Sequence, residues 1–443
     1  MKKFHLIIIA VILLFSGCED ILEVNTTSSF NTDQGVITTE ARAELALTGM
    51  YDGLQNQYYY GNYIITFGDL PSDNMDHTGT FVNSAEVDQN EIYPSNTILA
   101  QVWDQIYYVI NIANTIYEDV PNIKGIDQEV SDRMQGEALF IRALCYFDLV
   151  KNWGDVPLQL NPVRSTQDIQ KLSRETVANV YFQIVDDLEE AETKLGDYDE
   201  AGRANIWAVR ALLSRVHLYQ GHYQDAYDYA NNVIVNSPYT LETNYADIFT
   251  YENEYCSESI FEVDFTGQDA NNFAFWYHPD DLGGRYEYGV SDDLETSYDA
   301  SDVRYDANIG FYAATGYYIT KYTDVASGSD NVIVLRLTEM YLTRSEALVN
   351  GATPVGGDSR LADFNQTYSR AGLGNHPGPI TMTDILNERR FEFAFEGHRW
   401  CDLTRTGEAI NVLTNVTSTN QYLWPIPQDE RDVNPNLEQN PGY

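Results

Sequence analysis

The sequence predicts a mostly α-helical protein in which about four helical hairpins support an irregular, loop-rich half with short β-strands. Apolar residues recur at three- and four-residue steps before residue 240 and again after residue 331, which is typical of helices that bury one face. Between these parts, residues 241–330 hold short β-like runs and loops rich in Gly, Asp and Tyr. We therefore expect a helical scaffold that carries the irregular stretch, where specificity can vary without harming the core.

The clearest hairpin lies at residues 203–238. Small and apolar residues share one face of its first helix, Gly221 is placed to end that helix, and a second helix follows at the same rhythm. The mutual spacing of Gly221, Tyr223, Ala226 and Pro238 is that of a tetratricopeptide-like repeat. One such unit cannot bury its own apolar face, so further hairpins are expected to stack on it.

Other periodic segments supply those hairpins, and Thr39 and Ser173 are placed as N-caps of two of them. By contrast, residues 69–96 are acidic and non-periodic, and residues 420–443 form a tail rich in Pro and Asn that we expect to be irregular. Long structureless segments in a compact domain tend to be functional. The predicted helices cover residues 39–55, 102–120, 132–153, 174–195, 331–350, 360–371 and 381–395.

The charge balance excludes one class of partner. The chain of 443 residues carries 67 acidic and 26 basic side chains, a net charge of −41. Nucleic acid is therefore not an expected partner, because phosphate binding needs clustered Lys and Arg. A polyanionic glycan would also be repelled unless Arg285 and Arg304 line the site. The 33 Tyr residues suit sugar-like ligands, although packing between helices is the plainer role for most of them.

The first residues predict export and lipidation. Lys2 and Lys3 precede an apolar run, residues 6–15, that is too short to span a bilayer. The following Phe15-Ser-Gly-Cys18 resembles a bacterial lipobox, with Phe where Leu is usual. We expect residues 1–17 to be a signal peptide, Cys18 to carry the lipid, and residues 18–38 to hold it and a tether. The alternative is an ordinary signal peptide followed by a chance Cys.

The remaining cysteines are Cys145, Cys256 and Cys401. An odd number makes a disulfide framework unlikely as the organising principle of the fold. Cys145 lies within an apolar helical pattern, so we predict that it is a small core residue.

Five segments carry a family resemblance. They are residues 136–157, 203–234, 335–347, 388–403 and 424–443, the fourth beginning Glu388-Arg-Arg-Phe-Glu-Phe-Ala-Phe-Glu-Gly-His-Arg-Trp400. Together with the lipobox they resemble, in order, the hallmarks of the SusD/RagB family of surface lipoproteins from the Bacteroidetes. The resemblance covers nearly the whole mature chain.

The resemblance implies a helical body of about four tetratricopeptide-like hairpins and an outer-membrane anchor that faces the cell exterior. It also implies a SusC-like TonB-dependent transporter as partner, over which the protein acts as a hinged lid. The cargo of such proteins is usually an oligosaccharide, and some relatives take peptides. The corresponding division is a helical N-terminal region at 39–240, a loop-rich candidate ligand face at 241–330, and a C-terminal region at 331–443.

A dense group of charges in the C-terminal hallmark predicts ion pairing rather than catalysis. Charges of both signs alternate at helical steps, an arrangement that favours pairs within and between helices, and His398 is expected to be a buried hydrogen-bonding residue. No zinc helix, nucleophile elbow or Gly-rich phosphate loop occurs in the sequence. A hydrolase is disfavoured, because no carboxylate pair can be placed at catalytic separation. The group comprises Glu388, Arg389, Arg390, Glu392, Glu396, His398, Arg399 and Asp402.

No cofactor is expected, and a structural calcium ion is the one alternative. Calcium takes oxygen ligands, and Asp residues are frequent in the loops after residue 290. The Asp residues considered for such a site are Asp292, Asp293, Asp299, Asp302 and Asp306.

Two segments combine flat aromatic rings with groups that can fix sugar hydroxyls. The first, residues 69–93, offers Asp73, Phe81 and Tyr93. The second, residues 271–288, offers four candidates, of which Trp276 is the best single choice; they are Trp276, Tyr277, Arg285 and Tyr286. For each of them, packing within a loop is the alternative role.

The sequence therefore predicts a non-enzymatic surface lipoprotein that captures an oligosaccharide and delivers it to a transporter. Two alternatives share its architecture. One is peptide capture, which an apolar, amide-lined groove would favour. The other is a protein-interaction scaffold without any small-ligand site.

Overall fold

Helices dominate the described part of this computed structural model, which covers residues 36–197 and 200–443. Residues 1–17, Cys18 and most of the predicted tether lie outside the described residues. None of the helices within the described ranges has the length and apolar character that crossing a bilayer requires. The α-helices are α1 (Glu40–Gln55), α2 (Tyr63–Asp69), α3 (Val82–Asp88), α4 (Thr97–Asp119), α5 (Gln128–Trp153), α6 (Val177–Lys194), α7 (Ile206–Gln220), α8 (Tyr223–Asn236), α9 (Phe273–Tyr277), α10 (Asp292–Ser297), α11 (Arg304–Asn308), α12 (Leu337–Val349), α13 (Arg360–Tyr368), α14 (Met382–Glu392), α15 (Arg399–Arg405), α16 (Ala409–Val412) and α17 (Gln428–Val433).

Four helix pairs form a continuous stack. Within the pairs, α1 packs on α4, α5 on α6, α7 on α8, and α12 on α13. Between the pairs, α4 packs on α5, α6 on α7, and α8 on α12. The predicted fold class is therefore confirmed: about four helical hairpins bury their apolar faces on one another and form the body of the molecule.

The central hairpin, α7–α8, has the predicted construction. Gly221 ends α7 with a φ of 72°, the left-handed conformation that glycine adopts without a steric penalty. Ala208 and Ala226 are fully buried. The hydroxyl of Ser214 donates to the carbonyl oxygen of Ala226 at 2.9 Å. Small side chains therefore let the two helices approach closely, as expected for this repeat.

Two of the predicted helix starts that differ from the structure fall on extended backbone, and the pairing of that backbone explains both. Helix α6 begins at Val177 rather than at residue 174, because Glu175 and Val156 exchange backbone hydrogen bonds at 2.9 and 3.2 Å. Thr176, not Ser173, caps the helix by accepting from the amide of Asn179. Residues 332–336 are a strand and not the first turn of a helix, since their backbone pairs with residues 259–263.

Two segments predicted to be irregular contain regular elements. Residues 69–96 hold a strand and helix α3, in which Val87 is fully buried. The C-terminal tail after residue 420 holds the short helix α17. The division of the chain at residues 38, 240 and 330 stays a prediction.

The described residues contain three antiparallel two-stranded sheets in and around the loop-rich half. Strand β1 pairs with β3, β4 forms a hairpin with β5, and β2 pairs with β6 across an irregularity in register. The strands are β1 (Met75–His77), β2 (Ser259–Val263), β3 (Tyr288–Val290), β4 (Ile309–Tyr312), β5 (Gly316–Ile319) and β6 (Val332–Arg336).

Buried ion pairs fasten the loop-rich half to helix α14, which confirms the predicted role of the hallmark charges. One oxygen of Glu392 lies 2.7 Å from Arg336 and 2.5 Å from Arg370, and the other lies 3.2 Å from Arg304. Burial alone would raise the pKa of Glu392, but the charges of the three arginines outweigh it and lower that pKa to about 2. The carboxylate is therefore held ionised in the interior.

Neighbouring charges extend this arrangement. Arg336 also binds Glu396 at 2.9 Å, and Lys321 reaches the same carboxylate at 2.7 Å. Arg304, one of the two arginines that would have to line a site for a polyanionic glycan, is fully buried and bound to Glu388 at 2.8 Å. The condition for binding a polyanion is therefore not met at Arg304, because its guanidinium belongs to the interior network.

The three described cysteines are buried free thiols. Cys145 is fully buried in helix α5, where the hydroxyl of Tyr59 lies 3.5 Å from its sulfur. This confirms its predicted place in the core.

Replacing Glu392 with Gln should strongly destabilise the fold. The substitution leaves the buried arginines without their shared negative charge, and breaking such a pair costs about 3–5 kcal/mol. Chemical denaturation at pH 7 measures the change in the free energy of unfolding. As a matched control, Asp358→Asn removes a carboxylate from the exposed pair with Arg360 and should cost less than about 1 kcal/mol.

The same variant predicts a pH dependence. The pKa of Glu392 lies below its ordinary value of 4.5, so its stabilising contribution is present above that value and is lost as the pH falls towards 2. The difference in stability between the wild type and Glu392→Gln should therefore narrow below pH 4.5. Equal stability of the two proteins at pH 7 would contradict the prediction.

Candidate functional site

The pairing of β1 with β3 unites the two segments that the sequence nominated separately. Met75 lies opposite Val290, and His77 lies opposite Tyr288. Parts of residues 69–93 and 271–288 are thereby brought together, although about 200 residues of chain separate them.

The buried carboxylate of Glu287 holds the loop after β1 in place. One of its oxygens accepts from the amides of Thr80 at 2.9 Å and Phe81 at 2.7 Å, and it lies 3.0 Å from Nε2 of His77. Its backbone carbonyl accepts from the amide of Thr78 at 3.0 Å. This one residue therefore sets the position of the Phe81 ring.

Backbone hydrogen bonds tie the segment that carries Glu287 to helix α9. The amide of Glu287 donates to the carbonyl of Trp276 at 2.8 Å, and the amide of Arg285 donates to the carbonyl of Phe275 at 2.7 Å. Glu287 therefore binds helix α9 through its backbone amide and the loop of Phe81 through its carboxylate.

Four side chains meet at the surface above Glu287, and we call Phe81, Phe275, Trp276 and Arg285 the aromatic cluster. The rings of Phe81 and Phe275 meet the Trp276 ring edge-on, at centroid distances of 5.2 and 4.8 Å. The guanidinium of Arg285 lies 4.6 Å from the Phe81 centroid and 5.3 Å from that of Trp276. Phe275 is 38% exposed and the Arg285 side chain is 43% exposed.

This arrangement offers both parts of a carbohydrate site. Ring surfaces can cover the C–H faces of a sugar, and guanidinium N–H groups can donate to its hydroxyl oxygens. Cation–π contact with two rings also fixes the guanidinium in place before any ligand arrives.

Tyr286 connects the cluster to the neighbouring hairpin β4–β5. Its backbone has a φ of 50°, an uncommon left-handed conformation, and its hydroxyl donates to the carbonyl of Tyr317 at 2.9 Å. On the same hairpin the ring of Phe311 packs on that of Tyr317, and Phe311 is 66% exposed. The surface next to the cluster is therefore also aromatic.

Two candidates from the sequence are engaged in contacts within the molecule. Tyr277 is fully buried, and its hydroxyl lies 2.8 Å from that of Thr66. The carboxylate of Asp73 binds Arg399 at 2.7 and 2.8 Å. Although burial opposes it, hydrogen bonding from Arg399 lowers the pKa of Asp73. Packing explains Tyr277, and ion pairing explains Asp73.

Tyr93 is 57% exposed at the far end of its segment. The next residue, Pro94, accepts a hydrogen bond from the amide of Gln428 in the C-terminal tail. Among the described residues, Tyr93 makes no hydrogen bond and no ring contact with the aromatic cluster. The structure therefore joins Phe81, Trp276 and Arg285 and places Tyr93 apart from them.

Two family models together match most of the chain. One, described as "Starch-binding associating with outer membrane", matches residues 20–218, and the model of the SusD family matches residues 251–415 and 408–443. The chain belongs to the SusD/RagB family. The resemblance seen in the five sequence segments is thereby confirmed.

Individual SusD relatives span the whole chain. SusD-like protein P38 of Formosa agariphila is 27% identical over the full length of both chains. Starch-binding protein SusD of Bacteroides thetaiotaomicron is 22% identical over 96% of this chain and 95% of its own. A solved structure named laminarin binding SusD-like protein is 26% identical, covers 92% of this chain and 100% of its own, and superposes with a TM-score of 0.84.

The Asp residues considered for calcium do not converge in the described residues. Asp302 binds Arg304 at 2.8 Å, and Asp293 binds Arg390 at 2.6 Å. Asp299 accepts a hydrogen bond from Ser301 at 2.6 Å. Each of these three carboxylates has a protein partner of its own.

Sequence reasoning missed Glu287, which organises the site without facing a ligand. An isolated Glu between two Tyr residues carries no periodic or motif signal. The need for a carboxylate becomes visible only when β1 pairs with β3. The Glu287 carboxylate then accepts hydrogen bonds from loop amides that have no partner in a helix or a sheet.

Replacing Glu287 with Ala should release the loop that carries Phe81. The amides of Thr80 and Phe81 lose a charged acceptor, and each such hydrogen bond contributes about 1.5–3 kcal/mol. Hydrogen exchange followed by mass spectrometry should show about tenfold or greater loss of protection in peptides that span 78–82.

The control for this experiment is Glu295→Ala. Glu295 accepts a hydrogen bond from the hydroxyl of Tyr305 and, among the described residues, makes none with the loop at 78–82. Exchange in peptides of 78–82 should stay at the wild-type rate. Unchanged protection in Glu287→Ala would show that the loop is held by other contacts.

Proposed function

We propose that this SusD-family protein binds a glycan at the cell surface and delivers it to a SusC-like TonB-dependent transporter in the outer membrane. The observation that carries the proposal is the aromatic cluster, in which ring surfaces and a guanidinium meet at an exposed site. Its construction supports binding because Glu287 and α9 hold the rings in place before a ligand arrives, which lowers the ordering cost of association.

The ligand class follows from the chemistry of the cluster and from the family. Rings with one exposed cation suit a neutral sugar chain better than a charged one. Relatives named for starch and for laminarin binding make these two glucans the first ligands to test. The SusD-family match over both halves of the chain supports the same class of ligand.

The proposed location rests on the family and on the first residues of the sequence. The description of the family model that matches residues 20–218 includes association with the outer membrane. We place the lipid on Cys18 and the aromatic cluster on the exterior side of that membrane. The transporter would then receive glycan from a protein tethered beside it.

Capture without hydrolysis is part of the proposal. The densest group of charges, around Glu392, is buried and engaged in ion pairs, so it supports structure rather than chemistry on a substrate. Two of the relatives, the starch-binding SusD and the laminarin binding SusD-like protein, are binding proteins by their names. Release of sugar from any glycan by the purified protein would contradict this part.

One observation favours peptide capture as a second candidate. A cavity of about 520 Å³ lies between α1, α4 and the loop at residues 268–270. Amide side chains can pair with a peptide backbone. The cavity supplies these amides but has a mostly polar lining, so it meets only one of the two features, apolar and amide-lined, that favour peptide capture. Its lining includes Gln55, Asn56, Gln57, Gln105 and Gln268.

Affinity electrophoresis in gels that contain laminarin or starch tests the glycan proposal. The protein from Glu19 onward should be retarded by at least one of these glucans. Trp276→Ala and Phe275→Ala should each weaken binding by about tenfold or more, which corresponds to about 1.4 kcal/mol. Loss of the ring removes the surface on which the sugar rests.

Phe182→Ala is the matched control. Phe182 is 71% exposed on helix α6 of the helical body, so this variant removes a surface ring without touching the aromatic cluster. It should bind like the wild type, and thermal unfolding should confirm that all variants are folded. Wild-type retardation of both cluster variants would place the glycan elsewhere, and retardation by neither glucan would direct the test to peptides.

A further inference from the structure

The turn between α7 and α8 gathers three side chains that can bind a metal ion. His217 lies in the last turn of α7, His222 directly precedes α8, and Asp225 lies in the first turn of α8. One ligand atom from each lies within 4.8 Å of the other two. The left-handed Gly221 reverses the chain between the two histidines and so brings them together.

The surroundings of His217 single it out. It is only 8% exposed, and its Nδ1 is enclosed without a hydrogen-bond partner among the described residues. Buried ring nitrogens normally have a partner, since an unsatisfied polar atom costs free energy. Its ring stacks on that of Tyr229 at 5.7 Å with an angle of 7° between the planes, which fixes the orientation of the imidazole.

The backbone holds the second histidine close to the first. The amide of His222 donates to the carbonyl of His217 at 2.9 Å, and the two rings are 5.8 Å apart. His222 and Asp225 are exposed, so their side chains are free to turn towards a shared ion. One ligand is therefore rigid and two are adjustable.

We propose that His217, His222 and Asp225 bind one divalent transition-metal ion of the zinc class, with water as the fourth ligand. Two imidazole nitrogens with one carboxylate oxygen form a donor set that zinc takes in tetrahedral sites, whereas calcium prefers oxygen alone. Zinc ligands at about 2.0–2.1 Å from the metal lie about 3.4 Å apart in a tetrahedron, so modest rotation of the exposed side chains closes the site.

The ion would clamp the ends of two helices in the hairpin on which the neighbouring pairs stack. Because a metal that binds only the folded state stabilises that state by mass action, zinc should raise the unfolding temperature. The net charge of −41 also raises the local concentration of cations near the surface. The site lies on α7–α8 and uses none of the residues of the aromatic cluster.

Titration of the metal-free chain from Glu19 onward with ZnCl₂ tests the proposal, using an affinity tag that contains no histidine. Calorimetry and metal analysis after dialysis should give one bound zinc per chain. His222→Gln and Asp225→Asn should each weaken binding by at least about tenfold, since even partners outside the first ligand shell contribute that much. Both residues are exposed, so the variants should remain folded.

Two controls separate this site from general attraction of cations. Asp228→Asn removes an exposed carboxylate from the same helix, and His376→Gln removes a histidine elsewhere. Both should bind zinc like the wild type. Co²⁺ should also give the visible absorption of tetrahedral coordination in the wild type and lose it in His222→Gln. The proposal is overturned if zinc binding is not saturable, or if His222→Gln and Asp225→Asn bind as tightly as the wild type.

Discussion

The buried carboxylate of Glu392 is the contact that holds three distant segments of the chain to helix α14. Three arginines from different segments share it: Arg304 from α11, Arg336 from β6 and Arg370 from the turn after α13. Charges taken out of water are tolerated only when all of their partners are present. Displacing any of the three segments from α14 would leave a buried charge without its partner. This cost fixes the segments in their positions on the helix.

Glu287 applies the same principle at the surface. Loops bury little apolar area, so they need another source of order, and a buried carboxylate that accepts several amides supplies it. The contacts of Glu287 then hold the rings of Phe81 and Trp276 in position whether or not a ligand is bound. Substitution of the exposed aromatic residues can therefore change ligand specificity without disturbing the contacts of Glu287.

Local patterns in the sequence predicted the helical stack well, and contacts between distant segments were out of their reach. Gly221 and the buried alanines identify the central hairpin because period and cap are local signals. A short apolar run such as 332–336 fits a helix or a strand until its partner is known, which is why β6 was missed. A Tyr at position 277 is compatible with either a buried or an exposed ring, so its burial could not be predicted. No local pattern indicated that the Glu287 carboxylate accepts hydrogen bonds from amides near residue 80.

The burial of Arg304 bears on the ligand that the surface can accept. A site for a polyanion would need both Arg285 and Arg304 in its lining. Arg304 is engaged by Asp302 and Glu388, which leaves only Arg285 of the two at the surface. One exposed guanidinium, already in contact with two rings, cannot offset the repulsion from a chain of net charge −41. It can still donate to hydroxyls, which needs no compensating charge on the ligand. We infer that neutral glycans, rather than sulfated or uronic ones, match the electrostatics of the aromatic cluster.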